Sequence, residues 1–220
     1  VGHTWGPRHL VVRHVEFASP LVPEAFDGYR IAHFTDVHLA SQNYQRGMVK
    51  ELVDTLLAQK ADIICFTGDL VTLDHSEMDG YEEQLSRLTA PDGVYSVLGN
   101  HDYQTYNHLG AHEQVRRLEE FKQRERALGW QLLLNEHRII VRGCDTLCLG
   151  GSENDGNGRH FPQLGDLEKT FDGTEGGCFK VLLSHDPTHW RRKILPETNV
   201  ALTLSGHTHA MQCKLFGWTP

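Results

Sequence analysis

Residues 62–69 read DIICFTGD. The apolar run is short and unbroken, with none of the alternation of a half-exposed strand, and it stops at Gly68-Asp69. That pattern fits a strand buried on both faces. Upstream, Met48, Leu52 and Leu56 recur every four residues, and Val49, Val53 and Leu57 widen the same face. This spacing predicts an amphipathic helix over about 44–60. Before it, Asp27-Gly28 marks a turn and Arg30–Thr35 a second strand. HLVVRHVEF, residues 9–17, reads as another strand.

Downstream the alternation continues. A helix is expected over about 76–89, carrying Tyr81, Leu85 and Leu88, then the strand GVYSVLGNHD at 93–102. A longer, charged helix covers about 109–128. Short strands follow near 131–134, 137–142 and 145–150. Residues 150–165, GGSENDGNGRHFPQLG, form a glycine-rich polar loop, and long loops on rigid scaffolds often carry function. A short helix near 163–171, the strand CFKVLLSHDP, a helix near 187–194 and NVALTLSGHTHA complete the pattern. Strands alternating with helices, then clustering, predict an α/β domain of two packed mixed β-sheets flanked by helices.

The chain has 220 residues, 39% of them hydrophobic and 23% charged, which suits a soluble globular domain with a substantial core. Its net charge of −8 argues against tracking a nucleic-acid backbone by bulk charge. Bound cations can still make an acidic protein receptive to phosphate. Five dispersed cysteines, Cys65, Cys144, Cys148, Cys178 and Cys213, read as free and mostly buried thiols, not a thiolate metal site. No apolar stretch reaches the roughly 18 residues of a membrane helix. The chain begins at Val1 without methionine, so an upstream segment is expected.

Five of the strand ends carry the same cargo: TDVHL (Asp36, His38), TGDLV (Asp69), LGNHD (Asn100, His101, Asp102), LSHDP (His185, Asp186) and SGHTHA (His207, His209). In open α/β sheets that edge is where ligands bind. Carboxylates and imidazoles left buried without partners would cost several kcal/mol each, and cations among them turn that cost into binding. Asp, Asn and His without cysteine suit manganese, iron, zinc or nickel-like ions. Seven such donors exceed the needs of one four-coordinate ion. They suit two ions about 3.5–4 Å apart that share a carboxylate and leave room for water and substrate.

The ordered set D-x-H, GD, GNHD, H and G-H-x-H, running from Asp36 to His209, resembles the calcineurin-like metallophosphoesterases, in particular bacterial phosphohydrolases that begin with a TDVHL-type motif. Some members of that branch are exported or membrane-associated, and some cleave the pyrophosphate of UDP-diacylglucosamine. The resemblance implies a four-layer sandwich, a single metallophosphoesterase domain over 1–220, and two divalent cations, with manganese, iron or zinc expected. It implies that Asp36, His38 and His209 hold the first ion and Asn100, His185 and His207 the second, with Asp69 bridging. His101 would protonate the leaving group, oriented by Asp102.

The expected reaction is hydrolysis of a phosphomonoester, phosphodiester or pyrophosphate, with a lean towards a diester or pyrophosphate on a nucleotide or lipid-linked molecule. The alternatives are a metal-binding scaffold of the same fold, or a metal-dependent nuclease, which the acidic composition disfavours. A membrane association through an upstream segment, the bacterial cytoplasm and export all stay open, as does the oligomeric state. Family members usually continue past the last histidine pair with further strands. Pro220 follows His209 by only eleven positions, so a clipped C-terminus is expected.

Outside this set, Asp186 reads as a surface cap opening an Asp-Pro turn. In the 152–162 loop, Asn154, Arg159 and His160 read as solvated loop, with contact to substrate as the alternative, Arg191-Arg192 as helix surface, and Trp5, Trp130, Trp190 and Trp218 as packing residues.

Overall fold

The computed structural model describes residues 10–39, 46–107, 109–158, 161–174 and 177–209. Eight strands form two four-stranded sheets. The first contains β1 (Ile31–Phe34), β2 (Ile63–Phe66), β3 (Val94–Ser96) and β4 (Gln131–Leu132), in that order and parallel throughout. Between these strands run α1 (Arg46–Ala58), the single turn α2 (Glu82–Leu85) and α3 (Ala111–Ala127). The second contains β5 (Glu136–Arg142), β6 (Asp145–Gly151), β7 (Phe179–Leu183) and β8 (Leu202–Leu204). It is mixed: β5 and β6 form an antiparallel hairpin, while β6–β7 and β7–β8 are parallel. Gly143, at φ 57, opens the two-residue hairpin loop, a left-handed position where a Cβ is unwelcome.

Strand alternation sorts side chains into three cores. Ile64 and Phe66 of β2 face Val49, Val53 and Phe121 from α1 and α3, with Trp130 packed on Phe34 and Phe66. Their neighbours Ile63 and Cys65 face the other way, onto Leu147 and Leu149 of β6 and Val181 and Leu183 of β7. Leu182 and Cys148 point outward again, under Leu167 of α4 (Leu167–Thr170) and Ile194. The layers are therefore helix, sheet, sheet, helix. Ile63, Ile64 and Phe66 are all but inaccessible, and burying each contributes about 1.5–3 kcal/mol.

The structure corrects several expectations. Residues 10–17 form no strand; Val11 and Val15 are 67% and 87% exposed. A β-branched run becomes a strand only where an edge pairs with it. The single helix expected over 76–89 is two short turns, His75–Met78 and α2, separated by Asp79 and by Gly80 at φ 79. Asp74 and Glu77 form a capping box on the first turn, and the left-handed glycine ends it. The helix expected near 187–194 does form, in π geometry over Trp190–Ile194, and continues into α5 (Leu195–Glu197). Trp130 packs as expected, but Trp190 is 39% exposed. Cys65 and Cys148 are buried, Cys144 is exposed, and all four described cysteines are free. Trp5, Cys213 and Trp218 lie outside the described residues, and no described helix is long and apolar enough to cross a membrane.

One polar residue sits at odds with this core. Glu125 on α3 is fully buried, and neither carboxylate oxygen has a hydrogen-bond partner of good geometry among the described residues. Burial pushes its carboxyl up from 4.5 to about 7, with Ser96 and Arg126 pulling the other way. Between those pH values the unfolded chain gives up its proton while the folded chain keeps it, so stability falls as pH rises through that window. The full cost is about 3 kcal/mol. Glu125→Gln is therefore expected to stabilise the protein by about 2–3 kcal/mol above neutral pH and by little near pH 5. Urea midpoints at the two pH values check this; equal gains at both would refute it.

Candidate metal centre

Strands β1, β2 and β3 run in parallel, so their C-terminal ends share one edge, and β7 and β8 do the same in the second sheet. Asp36, Asp69, Asn100, His185 and His207 each follow one of these strands within five residues. The connecting backbone is unusual. Among the described residues, Asp36, His38, Asp69, His207 and His209 all have φ between 48° and 69°, as do only three other non-glycine residues. L-residues enter that left-handed region at a cost. Such strain concentrates where a site fixes its geometry. Two glycines allow the close packing: a Cβ on Gly99 would overlap the Asp69 carboxylate, and one on Gly206 would overlap Thr35 and Asp36.

Asp69, only 1% exposed, occupies the middle. Its Oδ1 accepts the backbone N–H of His101 at 2.9 Å. Its Oδ2 lies 3.2 Å from His185 Nε2 and 3.6 Å from His38 Nε2. On one side, His209 Nε2 is 3.2 Å from Asp36 Oδ1 and 3.2 Å from His38 Nε2. On the other, the Asn100 Oδ1 is 3.1 Å from His185 Nε2, and the His185 and His207 rings meet at 5.1 Å. Both oxygens of Asp36 also accept the His207 backbone N–H, at 2.9 and 3.1 Å, which joins the end of β1 to the end of β8.

Two ring orientations are fixed by backbone carbonyls. His185 Nδ1 donates to Thr67 O at 2.7 Å, so Nε2 is the nitrogen that faces Asp69. A carbonyl can only accept, so the proton is held at Nδ1 and a neutral ring offers its lone pair at Nε2. His101 Nδ1 likewise donates to Thr72 O at 2.7 Å. The orientation of His101, expected to come from Asp102, therefore falls to Thr72. Asp102, wholly buried, accepts instead from the backbone N–H groups of Asp69, Leu70, Val71 and Gly99 at 2.7–3.2 Å. It shapes the loop that carries Asp69.

The electrostatics suit cations. Burial alone pushes Asp69 up, but His185, then His101 and His38, outweigh it and hold the carboxyl below its ordinary range. Burial pulls His185 down, yet the Asp69 hydrogen bond and charge lift it to about 9. Burial lowers His38 and His207, and their neighbouring imidazoles add to that effect. Two groups of donor atoms result, Asp36–His38–Asp69–His209 and Asp69–His185–His207, each with all its atoms within 4.8 Å of one another and sharing Asp69. Nitrogen and oxygen lone pairs gathered so closely repel unless protons or cations lie among them. Hard oxygen and imidazole donors fit a divalent first-row ion.

Some of the residues around this centre depart from the sequence reading, and others escape it. Asp186 does open the turn, accepting Thr188 N–H at 2.7 Å, but it is buried, and its other oxygen lies 3.8 Å from His207 Nε2. Asn154 is buried, not solvated; its amide donates to Pro162 O. Arg192 leaves the helix surface to join Lys193 on the buried carboxylate of Asp155. Arg159 and His160 lie outside the described residues. Tyr106, ring to ring with His101 at 4.5 Å, and Phe161, edge-on to His207 at 5.2 Å, carried no signal beyond being aromatic.

Comparison with known proteins agrees with this arrangement. Residues 29–211 match the model of a family described as calcineurin-like phosphoesterase. A zebrafish transmembrane protein with metallophosphoesterase domain is 29% identical over 205 residues, covering 90% of this chain and 44% of that protein. The UDP-2,3-diacylglucosamine pyrophosphatase LpxG of Chlamydia muridarum is 28% identical over 241 residues, covering 95% of this chain and 72% of that protein. The structure of Haemophilus influenzae NAD nucleotidase superposes with a TM-score of 0.53 at 16% identity, over 82% of this chain and 38% of that one, a likeness of fold. This chain spans less than half the length of the zebrafish relative.

Proposed function

Because the chain belongs to the calcineurin-like phosphoesterase family, we propose that it hydrolyses phosphoesters at a centre of two divalent cations. The observation that carries this reading is the pair of donor groups joined at Asp69. Asp36, His38 and His209 would hold one ion, and Asn100, His185 and His207 the other, with Asp69 shared. When bound, such ions polarise a phosphoryl oxygen and supply an acidified water as nucleophile.

The remaining work falls to the protein. Asp69 and Asp36 balance cationic charge, and the Thr67 carbonyl keeps the His185 lone pair turned inward. His101 turns Nε2 to the site, because its Nδ1–H is committed to Thr72 O; as an imidazolium, protonated at both nitrogens, it would pass the Nε2 proton to the departing oxygen and be left neutral with Nδ1–H in place. Nothing in this scheme requires a covalent protein nucleophile. We favour a phosphodiester or pyrophosphate on a nucleotide or lipid-linked molecule, a preference that draws on the named activity of the Chlamydia relative.

The test is hydrolysis by metal-stripped protein of p-nitrophenyl phosphate, its bis-ester and a UDP-sugar, before and after adding Mn²⁺. Turnover that appears with Mn²⁺ and vanishes with chelator is expected. No turnover with any divalent ion would leave a scaffold, and cleavage confined to plasmid DNA would make the protein a nuclease. The role of His101 has its own signature. His101→Gln is expected to slow cleavage of an alkyl ester by about 10²-fold and that of a p-nitrophenyl ester by far less, since the better leaving group needs no proton. Equal losses on both esters would assign His101 another task.

A further inference from the structure

Tyr106 lies four residues beyond Asp102, in the short turn Thr105–Asn107, and no motif points to it. Its hydroxyl oxygen accepts a hydrogen bond from Asn100 Nδ2 at 2.9 Å. The other end of that amide, Oδ1, faces His185 Nε2 at 3.1 Å. The Tyr106 ring lies against His101 with centroids 4.5 Å apart and planes inclined by 35°. Asn107 Nδ2 ties the turn to Leu73 O at 2.8 Å, next to the Thr72 carbonyl that fixes His101.

An asparagine amide has a donor end and an acceptor end of nearly the same shape. Only the oxygen end can serve a cation. Asn100 is 2% exposed, so water does little to decide which way it turns. A phenol hydroxyl can serve either end of an amide; here its oxygen accepts from Nδ2, which anchors the donor end outward and leaves Oδ1 toward His185. The same residue's ring closes one face of His101 and limits its tilt. We infer that Tyr106 is a positioning residue, setting the Asn100 amide through its hydroxyl and bracing His101 through its ring. This rests on the function proposed above, with Asn100 as a cation ligand and His101 as the proton donor.

Two substitutions separate the parts. Tyr106→Phe removes the oxygen and keeps the ring; Tyr106→Leu removes both. Mn²⁺ titration of metal-stripped protein by calorimetry reads the first part. Tyr106→Phe is expected to bind the weaker of two Mn²⁺ equivalents about 10-fold less tightly, with turnover restored at saturating Mn²⁺. Tyr106→Leu is expected to lose a further ~10-fold in kcat that Mn²⁺ does not restore, with KM little changed, because proton donation acts in the transition state. In an Asn100→Ala background, Tyr106→Phe should have no added effect on Mn²⁺ binding.

A purely structural role would lower the melting temperature and leave the Mn²⁺ isotherm in place, which would overturn the inference. So would an equal loss in the Asn100→Ala background. Wild-type protein that takes up no Mn²⁺ would remove the proposed function and this inference together. Wild-type protein with normal Mn²⁺-dependent turnover, beside a Tyr106→Phe variant with an unchanged isotherm, would remove this inference alone.

Discussion

Asp69→Asn is expected to reduce metal-dependent hydrolysis by at least ~10³-fold, about 4 kcal/mol of barrier, while leaving the fold in place. The substitution barely changes shape. The remaining oxygen can still accept the His101 N–H that Oδ1 holds at 2.9 Å. What is lost is the negative charge at Oδ2, an atom within reach of both His185 and His38. Both donor groups contain Asp69, so both lose their shared carboxylate at once. Metal analysis after dialysis against Mn²⁺ should find less than one ion per chain, against two for the wild type. The metal-free variant should melt within a few degrees of the parent, because packing around the 1%-exposed side chain is kept. A variant that retains two ions and most of its turnover would place the cations somewhere else.

The second large effect falls on stability. Asp102→Ala is expected to cost on the order of 5 kcal/mol, because four buried backbone N–H groups lose their acceptor and each orphan costs about 1–3 kcal/mol. Burial, with Asp69 and Glu125 nearby, pushes the Asp102 carboxyl up, and the Gly99 and Val71 amides oppose this. The donors reach both oxygens: Leu70 and Val71 reach Oδ1, Asp69 and Gly99 reach Oδ2. Asparagine can satisfy one pair but turns its NH₂ toward the other, so Asp102→Asn should lose roughly half as much. A loss of this size rivals the whole stability of an ordinary domain, so the alanine variant is expected to be largely unfolded and the asparagine variant measurable by urea denaturation. An alanine variant within 1 kcal/mol of wild type would show that the loop holds its shape without this carboxylate.

Those two aspartates mark where the sequence was legible and where it was not. The layered architecture followed from unbroken apolar runs such as 63–66, whose alternate residues do face two different cores. Two local readings failed for lack of context. Residues 10–17 have strand composition but no pairing edge, and the 76–89 periodicity did not reveal that Gly80 would turn left-handed. The donor side chains were readable because each sits just past a strand, a position that sequence spacing exposes. Their supports were not. Thr67 and Thr72 act through backbone carbonyls, which every residue possesses. Asp102 was singled out by its place in the motif, but only the fold shows that it grips four amides and not the neighbouring imidazole.

The contact between Asp36 and the His207 amide has a last implication. It joins the first strand to the eighth, so the pocket is sealed by parts of the polypeptide 171 positions apart. A piece cut from either half would carry some of the coordinating groups and lack the opposing wall. The centre therefore assembles only when β1 and β8 are docked together, and a truncation that removes either strand is expected to remove part of its donor set.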